Sequence, residues 1–251
     1  MKVSIVTATM NSESTVKDSI QSLNNQKYKN IEHIIIDGNS KDDTLKIVNK
    51  YKKANTVIVS ESDNGIYDAL NKGIKLATGD LIGILHSNDV FYSDDVVDIV
   101  VNKFKNHDIE MLAADLIITD FNNENIIRYY RGFNDPKSKF EIGVMPPHPT
   151  VFIKKRIFDI YGYYSSDYRI AADYEYLLKL ICINEIKYKY VEKIFIKMRT
   201  GGLSNSGIKS KLRINYEIFK INKNYKIKFL FLRKFLHRIF EYFDKPDNSN
   251  K

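Results

Sequence analysis

Ile34-Ile35-Ile36-Asp37-Gly38-Asn39-Ser40 and, farther along, Leu81-Ile82-Gly83-Ile84-Leu85-His86-Ser87-Asn88-Asp89 decide how this chain is read. Each is a short apolar run that empties into a polar, partly acidic loop. In a parallel α/β sheet, loops at the carboxyl ends of strands are where ligands bind. Carboxylates there suit a base or ribose on one side and a divalent cation holding a diphosphate on the other. The pattern points to an enzyme that uses a metal-bound nucleotide.

Outward from these two runs, strand and helix signals alternate. Val3–Val6 is a continuous apolar run, as a strand covered on both faces should be. Val16, Ile20 and Leu23 then share a helical face, with Ser12 or Ser14 as cap. Ser40-Lys41-Asp42-Asp43 has the form of a capping box for a helix through Leu45, Val48 and Tyr51. Val57–Val59 reads as a strand, Ile66, Leu70, Ile74 and Ala77 as a helical stripe, and Asp94–Phe104 as a further amphipathic helix. This order predicts a Rossmann-like, mostly parallel sheet flanked by helices. Beyond Met111 the signals become mixed: strands over Leu116–Thr119, Ile126–Tyr130, Thr150–Ile153, Tyr188–Val191 and Ile194–Lys197, and a helix over Ala172–Ile183. The expected organisation is one α/β domain over 1–207, with a nucleotide-binding half to about 110 and an acceptor half after it. A helical extension follows over 208–251.

Composition fits an ordinary folded protein, with 43% hydrophobic and 28% charged residues. The single cysteine, Cys182, lies in an apolar stretch and reads as an inert thiol; no disulfide framework is possible within the chain. Met1-Lys2 leads straight into Val3, so no signal peptide is read. No apolar run approaches the ~20 residues of a spanning helix. The net charge of +8 is concentrated late: between Lys209 and Arg238 ten Lys or Arg stand against the single acid Glu217. Phe229, Leu232, Leu236, Ile239 and Phe243 share one helical face there, with Arg233, Lys234, His237 and Arg238 mostly on the other. Such a helix reads as an element attracted to anionic lipid, or as one packed on the domain with a solvated basic face. No nucleic-acid motif accompanies it.

Five constellations carry candidate chemistry. Asp37 could accept a uracil imide N–H or bond a ribose hydroxyl, and it equally suits a plain strand-to-helix turn. Asn88-Asp89 gives one carboxylate and one amide, enough for Mg²⁺ or Mn²⁺ when phosphates and water complete the shell, and also a fair helix cap. Asp173 opens a helix, where it either meets the helix dipole or takes a proton from an acceptor hydroxyl. Glu175 is expected in solvent on another face. His148, held among Pro146, Pro147 and Pro149, suits substrate positioning. Gly201-Gly202-Leu203-Ser204 could close over a diphosphate or simply turn the chain. No G-x-G-x-x-G follows the first strand.

Taken in order, these segments resemble family 2 glycosyltransferases over roughly Lys2 to Ser204. Val3–Asn11 is similar to the family's opening strand and Pro-Thr-Tyr-Asn turn, with Ala8 for Pro and Met10 for Tyr. Ile36–Ser40 resembles the Val-Asp-Asp-Gly-Ser block, with Gly38 for the second acid. Gly65–Ile74 and Ala77–Asp80 resemble the approach to the metal strand. Ser87-Asn88-Asp89 falls on the Asp-x-Asp motif, with Asn88 a departure. Pro147–Thr150 and Ala171–Tyr174 resemble acceptor-side elements.

The resemblance implies a GT-A fold and inverting transfer of a sugar from a nucleotide-sugar, a UDP-sugar, to a hydroxyl. It makes Asp173 the catalytic base, and Asp89 the ligand of a divalent cation, Mn²⁺ or Mg²⁺. Thr7, Ala8, Thr9, Asn11, Asp37, Asp68, Asn71, Asn88 and Asp89 would contact the donor, and His148 the acceptor. It further implies a lipid-diphosphate-linked saccharide as acceptor, as in O-antigen or capsule assembly. The enzyme would then lie in the cytoplasm, peripheral on the inner face of the membrane. Asn88 and Gly38 motivate the alternative of an inactive relative that binds nucleotide-sugar or membrane without turnover.

Overall fold

The first strand, β1 (Val3–Thr9), puts Val3 and Ile5 on one face and Val6 and Ala8 on the other, and the whole strand is buried. Burial on both faces is why the run is continuous instead of alternating. A computed structural model describes residues 1–122, 125–200, 208–228 and 230 and shows what covers each face. α1 (Val16–Asn24), β2 (Ile31–Asp37), α2 (Thr44–Tyr51), β3 (Val57–Ser60), α3 (Ile66–Leu76) and β4 (Leu81–Ile84) follow in alternation. β2 and β4 both run parallel to β1, and β3 runs parallel to β2. The order β3-β2-β1-β4 therefore switches direction between β1 and β4, where such sheets open a crevice at their carboxyl ends.

The second half adds β5 (Asp89–Phe91), α4 (Val96–Asn106), β6 (Met111–Thr119), β7 (Ile126–Tyr130), α5 (Lys137–Phe140), β8 (Phe152–Lys154), α6 (Lys155–Tyr161), α7 (Ala172–Leu178), β9 (Tyr188–Arg199) and α8 (Ile208–Asn224). The sheet continues β4-β8-β6-β9-β5, with β7 paired to β6. β8 is antiparallel to β4 and β6, β5 is antiparallel to β9, and β6 is parallel to β9. The expected parallel half and mixed half are both present.

Helices cover both faces of this sheet. On the Val6 and Ala8 face lie Leu70 and Ile74 of α3, Phe158 of α6, Leu177 of α7, and Ile218 and Ile221 of α8. On the Val3 and Ile5 face lie Val96, Val97, Val100 and Phe104 of α4. β4 fits between β1 and β8 because residue 83 is glycine; a Cβ there would meet Phe152 at 2.5 Å and Ile5 at 2.9 Å. Among the described residues no helix is long and apolar enough to cross a membrane.

Several local expectations are corrected. The capping box at Ser40–Asp43 does not form: Ser40 turns back to Asp37, and Asp42 accepts the Thr44 N–H instead. The two late strands merge into β9, whose register against β6 shifts around Asp115. Thr150 closes a 3₁₀ turn with His148 instead of starting a strand. The helix expected over 172–183 passes from α7 into a π turn at Lys179–Ile183. Glu175 is buried against Tyr225, the residue that follows α8, not solvated. Cys182 is half-buried, and burial pushes its thiol up to about 11, which leaves it unreactive. The Gly201–Ser204 loop and the apolar face from Phe229 to Phe243 lie outside the described residues.

Candidate active site

A cleft of about 700 Å³ opens at the switch between β1 and β4. Its walls include Ala8–Ser12 after β1, Asp63, Gly65 and Tyr67 at the start of α3, and His86–Asp89 after β4. Pro147–Pro149, Arg169, Ile170, Asp173 and Arg199 complete it. Serine and asparagine side chains bind the strand-end loops together. Asn11 takes φ 48°, its N–H donates to Ser40 Oγ at 2.8 Å, and its Oδ1 accepts from Lys41 N at 2.9 Å. Ser12 Oγ and Ser87 Oγ meet at 2.9 Å, joining the β1 loop to the β4 loop.

Of the residues singled out from sequence, Ala8, Thr9, Asn11, Asn88, Asp89, His148 and Asp173 line this cleft; Thr7, Asp37, Asp68 and Asn71 do not. Each of these four has another partner. Thr7 Oγ1 lies 3.0 Å from His33 Nε2 on the neighbouring strand, and both are buried. Asp37 is fully buried, with its oxygens taken by Ser40 N–H at 3.1 Å, Ser60 Oγ at 2.7 Å and Ser40 Oγ. Asp68 accepts the Asn64 N–H at 3.0 Å and faces Lys72. Asn71 bonds both backbone groups of Tyr164, donating to its O at 2.8 Å and accepting from its N–H at 3.0 Å.

Two carboxylates dominate the chemistry of the cleft. Asp89 is 1% exposed, and among the described residues neither of its oxygens has a hydrogen-bond partner. Burial raises its pKa to about 8, opposed in part by the charge of Arg199. A buried carboxylate with both oxygens unmatched is a fitting ligand for a cation. Among the described residues no three His, Cys, Asp or Glu side chains cluster to complete a shell, so further ligands would have to come from water and a bound diphosphate. Asp173, in the first turn of α7, is arranged differently. Its Oδ1 accepts the Tyr174 N–H at 2.8 Å and lies 3.0 Å from Tyr67 Oη, while Oδ2 makes no hydrogen bond among the described residues. Burial raises its pKa; the Tyr174 and Tyr67 bonds and the nearby His86 hold it back.

Two histidines flank these acids. The rings of His86 and His148 are 6.3 Å apart, and burial lowers each to about 4, so both are neutral at pH 7. His148 Nε2 meets Tyr164 Oη at 2.9 Å, whereas His86 Nδ1 is buried without a partner among the described residues.

Sequence reasoning missed Asp63. Its Oδ1 accepts the Gly65 N–H at 2.9 Å, and its Oδ2 lies where a Cβ on Gly38 would come within 2.6 Å. The glycine that replaces the family's second acid thus leaves room for a carboxylate from the next strand-end loop. The signal was available: Asp63 lies in the loop after β3, as Asp37 stands at the carboxyl end of β2.

Residues 4–162 match the sequence profile of Glycosyl transferase family 2. The chain belongs to this family. As a family 2 glycosyltransferase it is 33% identical over 190 residues to an uncharacterized glycosyltransferase of Mycobacterium tuberculosis, covering 72% of this chain and 70% of that one. It is 26% identical over 208 residues to a PGL/p-HBAD biosynthesis glycosyltransferase of Mycobacterium bovis, covering 81% and 79%. Its fold is that of S. aureus TarS 1-349 in complex with UDP-GlcNAc, with TM-score 0.70, 18% identity and coverage of 97% and 74%. The same fragment with UDP gives 0.67 and 18%, covering 88% of this chain and 64% of that one. The mannosyltransferase PcManGT of Pyrobaculum calidifontis, in complex with GDP-Man and Mn2+, gives 0.62 and 14%, covering 84% and 60%. The family 2 chain thus has the GT-A architecture expected from its sequence.

Proposed function

We propose that this glycosyltransferase moves a sugar, with inversion, from a UDP-sugar to a hydroxyl of a lipid-linked saccharide during surface polysaccharide assembly. The observation that carries this reading is the pairing, in one cleft, of a carboxylate with an unbonded oxygen, Asp173, and a buried carboxylate with two, Asp89. Asp173 Oδ2 takes the proton of the acceptor hydroxyl as that oxygen bonds to the anomeric carbon. The bond from that carbon to the diphosphate breaks, and its electron pair leaves with the nucleotide. A divalent cation held by Asp89, with the Asn88 amide beside it, would offset the charge gathering on the diphosphate. Thr9 Oγ1, on the cleft wall and buried without a partner among the described residues, would meet the donor. UDP and UDP-GlcNAc in the TarS complexes support the choice of donor, and the basic tail supports an acceptor held at a lipid surface.

The test is a panel of nucleotide-sugars offered with a synthetic lipid-diphosphate sugar, with and without EDTA. Transfer from a UDP-sugar that is lost in Asp173→Asn supports the reading. Binding of UDP-sugars without turnover in the native chain would establish the inactive relative instead.

The basic tail would hold the enzyme at the membrane and raise the local acceptor concentration. α8 also exposes Leu212 and Tyr216. The deletion that tests this removes residues 229–251, because a cut at 208 would also take away Ile218 and Ile221, which are buried in the core. The shortened chain is expected in the soluble fraction, and unchanged membrane association would refute the anchor.

A further inference from the structure

Glu217 on α8 lies far along the chain from the cleft residues, yet it grips the segment that leads into α7. It is 6% exposed. Its Oε2 accepts the N–H groups of Ile170 at 2.9 Å and Ala171 at 3.0 Å, and its Oε1 accepts that of Arg169 at 3.2 Å. Arg213 Nε donates to Oε1 at 3.1 Å. Ala171, the residue before α7, has no side chain that can cap the helix, and the Glu217 carboxylate instead satisfies its N–H and those of the two residues before it.

The contacts continue toward the cleft. Tyr67 Oη lies 2.6 Å from Ile170 O and 3.0 Å from Asp173 Oδ1 and shares its one proton between these two acceptors. The peptide units that Glu217 fixes therefore carry the carbonyl that aims the phenol at the proposed base. α8 is itself held in place beside them: buried Asn222 bonds Phe140 O at 3.0 Å and faces Tyr174 Oη at 2.9 Å. We propose that Glu217 is a positioning residue for the reaction, clamping residues 169–171 so that Tyr67 is held on Asp173. This rests on the reading of Asp173 as base and extends it to a residue that touches no substrate.

Besides Tyr67 of α3, the titratable groups that act on Asp173 are His86 after β4 and Tyr164 before α7. None of these is altered by substitution at 217. The test follows the Asp173 carboxyl by ¹³C NMR against pH in the full chain, with the signal assigned by its loss in Asp173→Asn. Loss of the clamp frees Tyr67, the ionised carboxyl loses a hydrogen bond, and its midpoint rises. Removing a negative charge alone would move the midpoint down, so the direction separates positioning from simple electrostatics. Glu217→Ala is expected to shift the midpoint upward by about half a pH unit or more. Tyr67→Phe should do the same, and the double variant should move no further than Tyr67→Phe alone. An unchanged or lowered midpoint in Glu217→Ala, or additive shifts in the double variant, overturns the proposal. If Glu217→Ala does not fold, Glu217→Leu decides, since it fills the space but accepts none of the three N–H groups; the same rise supports the clamp and its absence sinks it. No donor or acceptor enters the measurement, so its failure is distinct from failure to find glycosyl transfer.

Discussion

Tyr67 Oη stands 3.0 Å from Asp173 Oδ1, joining α3 to α7 across 106 positions of sequence. One carboxylate oxygen is thereby occupied by the phenol and the Tyr174 N–H, and the other is left for a substrate proton. Replacing Asp173 with Asn keeps the shape and removes the basicity. Transfer should fall by about 10²–10⁴-fold, while UDP affinity, measured by titration calorimetry, stays within a few-fold of native. A comparable loss of UDP binding would mean that Asp173 serves the donor, not the acceptor.

The acidic limb of the rate profile should report the same carboxyl. Burial raises the pKa of Asp173, so the base is lost to protonation at a higher pH than for an exposed aspartate. The Tyr67 bond favours the ionised form. In Tyr67→Phe the limb should therefore move farther toward neutral pH, with a modest loss of rate on the plateau. A limb that stays in place would show that the phenol does not act on the base.

Gly38 and Asp63 give a prediction about the donor. A methyl group at 38 would lie 2.6 Å from Asp63 Oδ2, too close for both to remain. Gly38→Ala should displace Asp63 from the cleft wall and weaken UDP binding, with little change in melting temperature because that loop carries no core packing. Asp63→Asn, which keeps the side chain's shape, separates the charge from the volume. Equal UDP affinity in all three proteins would remove Asp63 from the site.

The parallel half of the sheet, the strand-end position of Asp89 and the place of Asp173 at the start of a helix were legible in the sequence because they depend on local signals. Apolar runs of strand length end in polar loops, and sheet topology brings those loops to one edge. What was not legible depended on partners distant in sequence. Asp37 reads as a ligand-binding carboxylate until Ser60, on the next strand, is seen to occupy it. Asn71 reads as free on its helix until Tyr164 takes both ends of its amide. Glu175 reads as solvated because helical angle alone says nothing of a distant segment, and Tyr225, just past the end of α8, bonds it. Two strands were read in place of β9 because the charged pair Glu192-Lys193 interrupts the apolar pattern, where the register against β6 is irregular.

His33 should make the fold sensitive to acid. It is buried and neutral beside Thr7, and burial lowers its pKa to about 3. Between about 6.5 and 3 the unfolded chain binds a proton that the folded chain refuses, so this residue's contribution to stability falls as pH falls through that window. The slope is at most ~1.4 kcal/mol per pH unit for one proton. His33→Gln should flatten the stability curve below pH 6 even if it lowers stability at pH 8. Parallel curves for the two proteins in urea titrations would contradict the assignment.

Asp89 should respond to pH in the opposite sense, and a cation should reverse its effect. Its pKa is raised to about 8 by burial, so the folded chain holds a proton that the unfolded chain releases above about 4. Stability without cation is therefore reduced progressively as pH rises from about 4 to about 8, and Asp89→Asn should melt at a higher temperature than native near pH 8. Binding of Mn²⁺ needs the ionised form and expels that proton. Its effect on UDP affinity in the native chain should grow by up to about tenfold per pH unit below pH 8 and then level off. In Asp89→Asn, Mn²⁺ should neither tighten UDP binding nor confer this pH dependence. The two results together, a more stable apoprotein that no longer couples cation to nucleotide, are what a buried carboxylate kept for a ligand should give. A substitution that lowered apoprotein stability and left the Mn²⁺ effect intact would place Asp89 in the fold instead of the site.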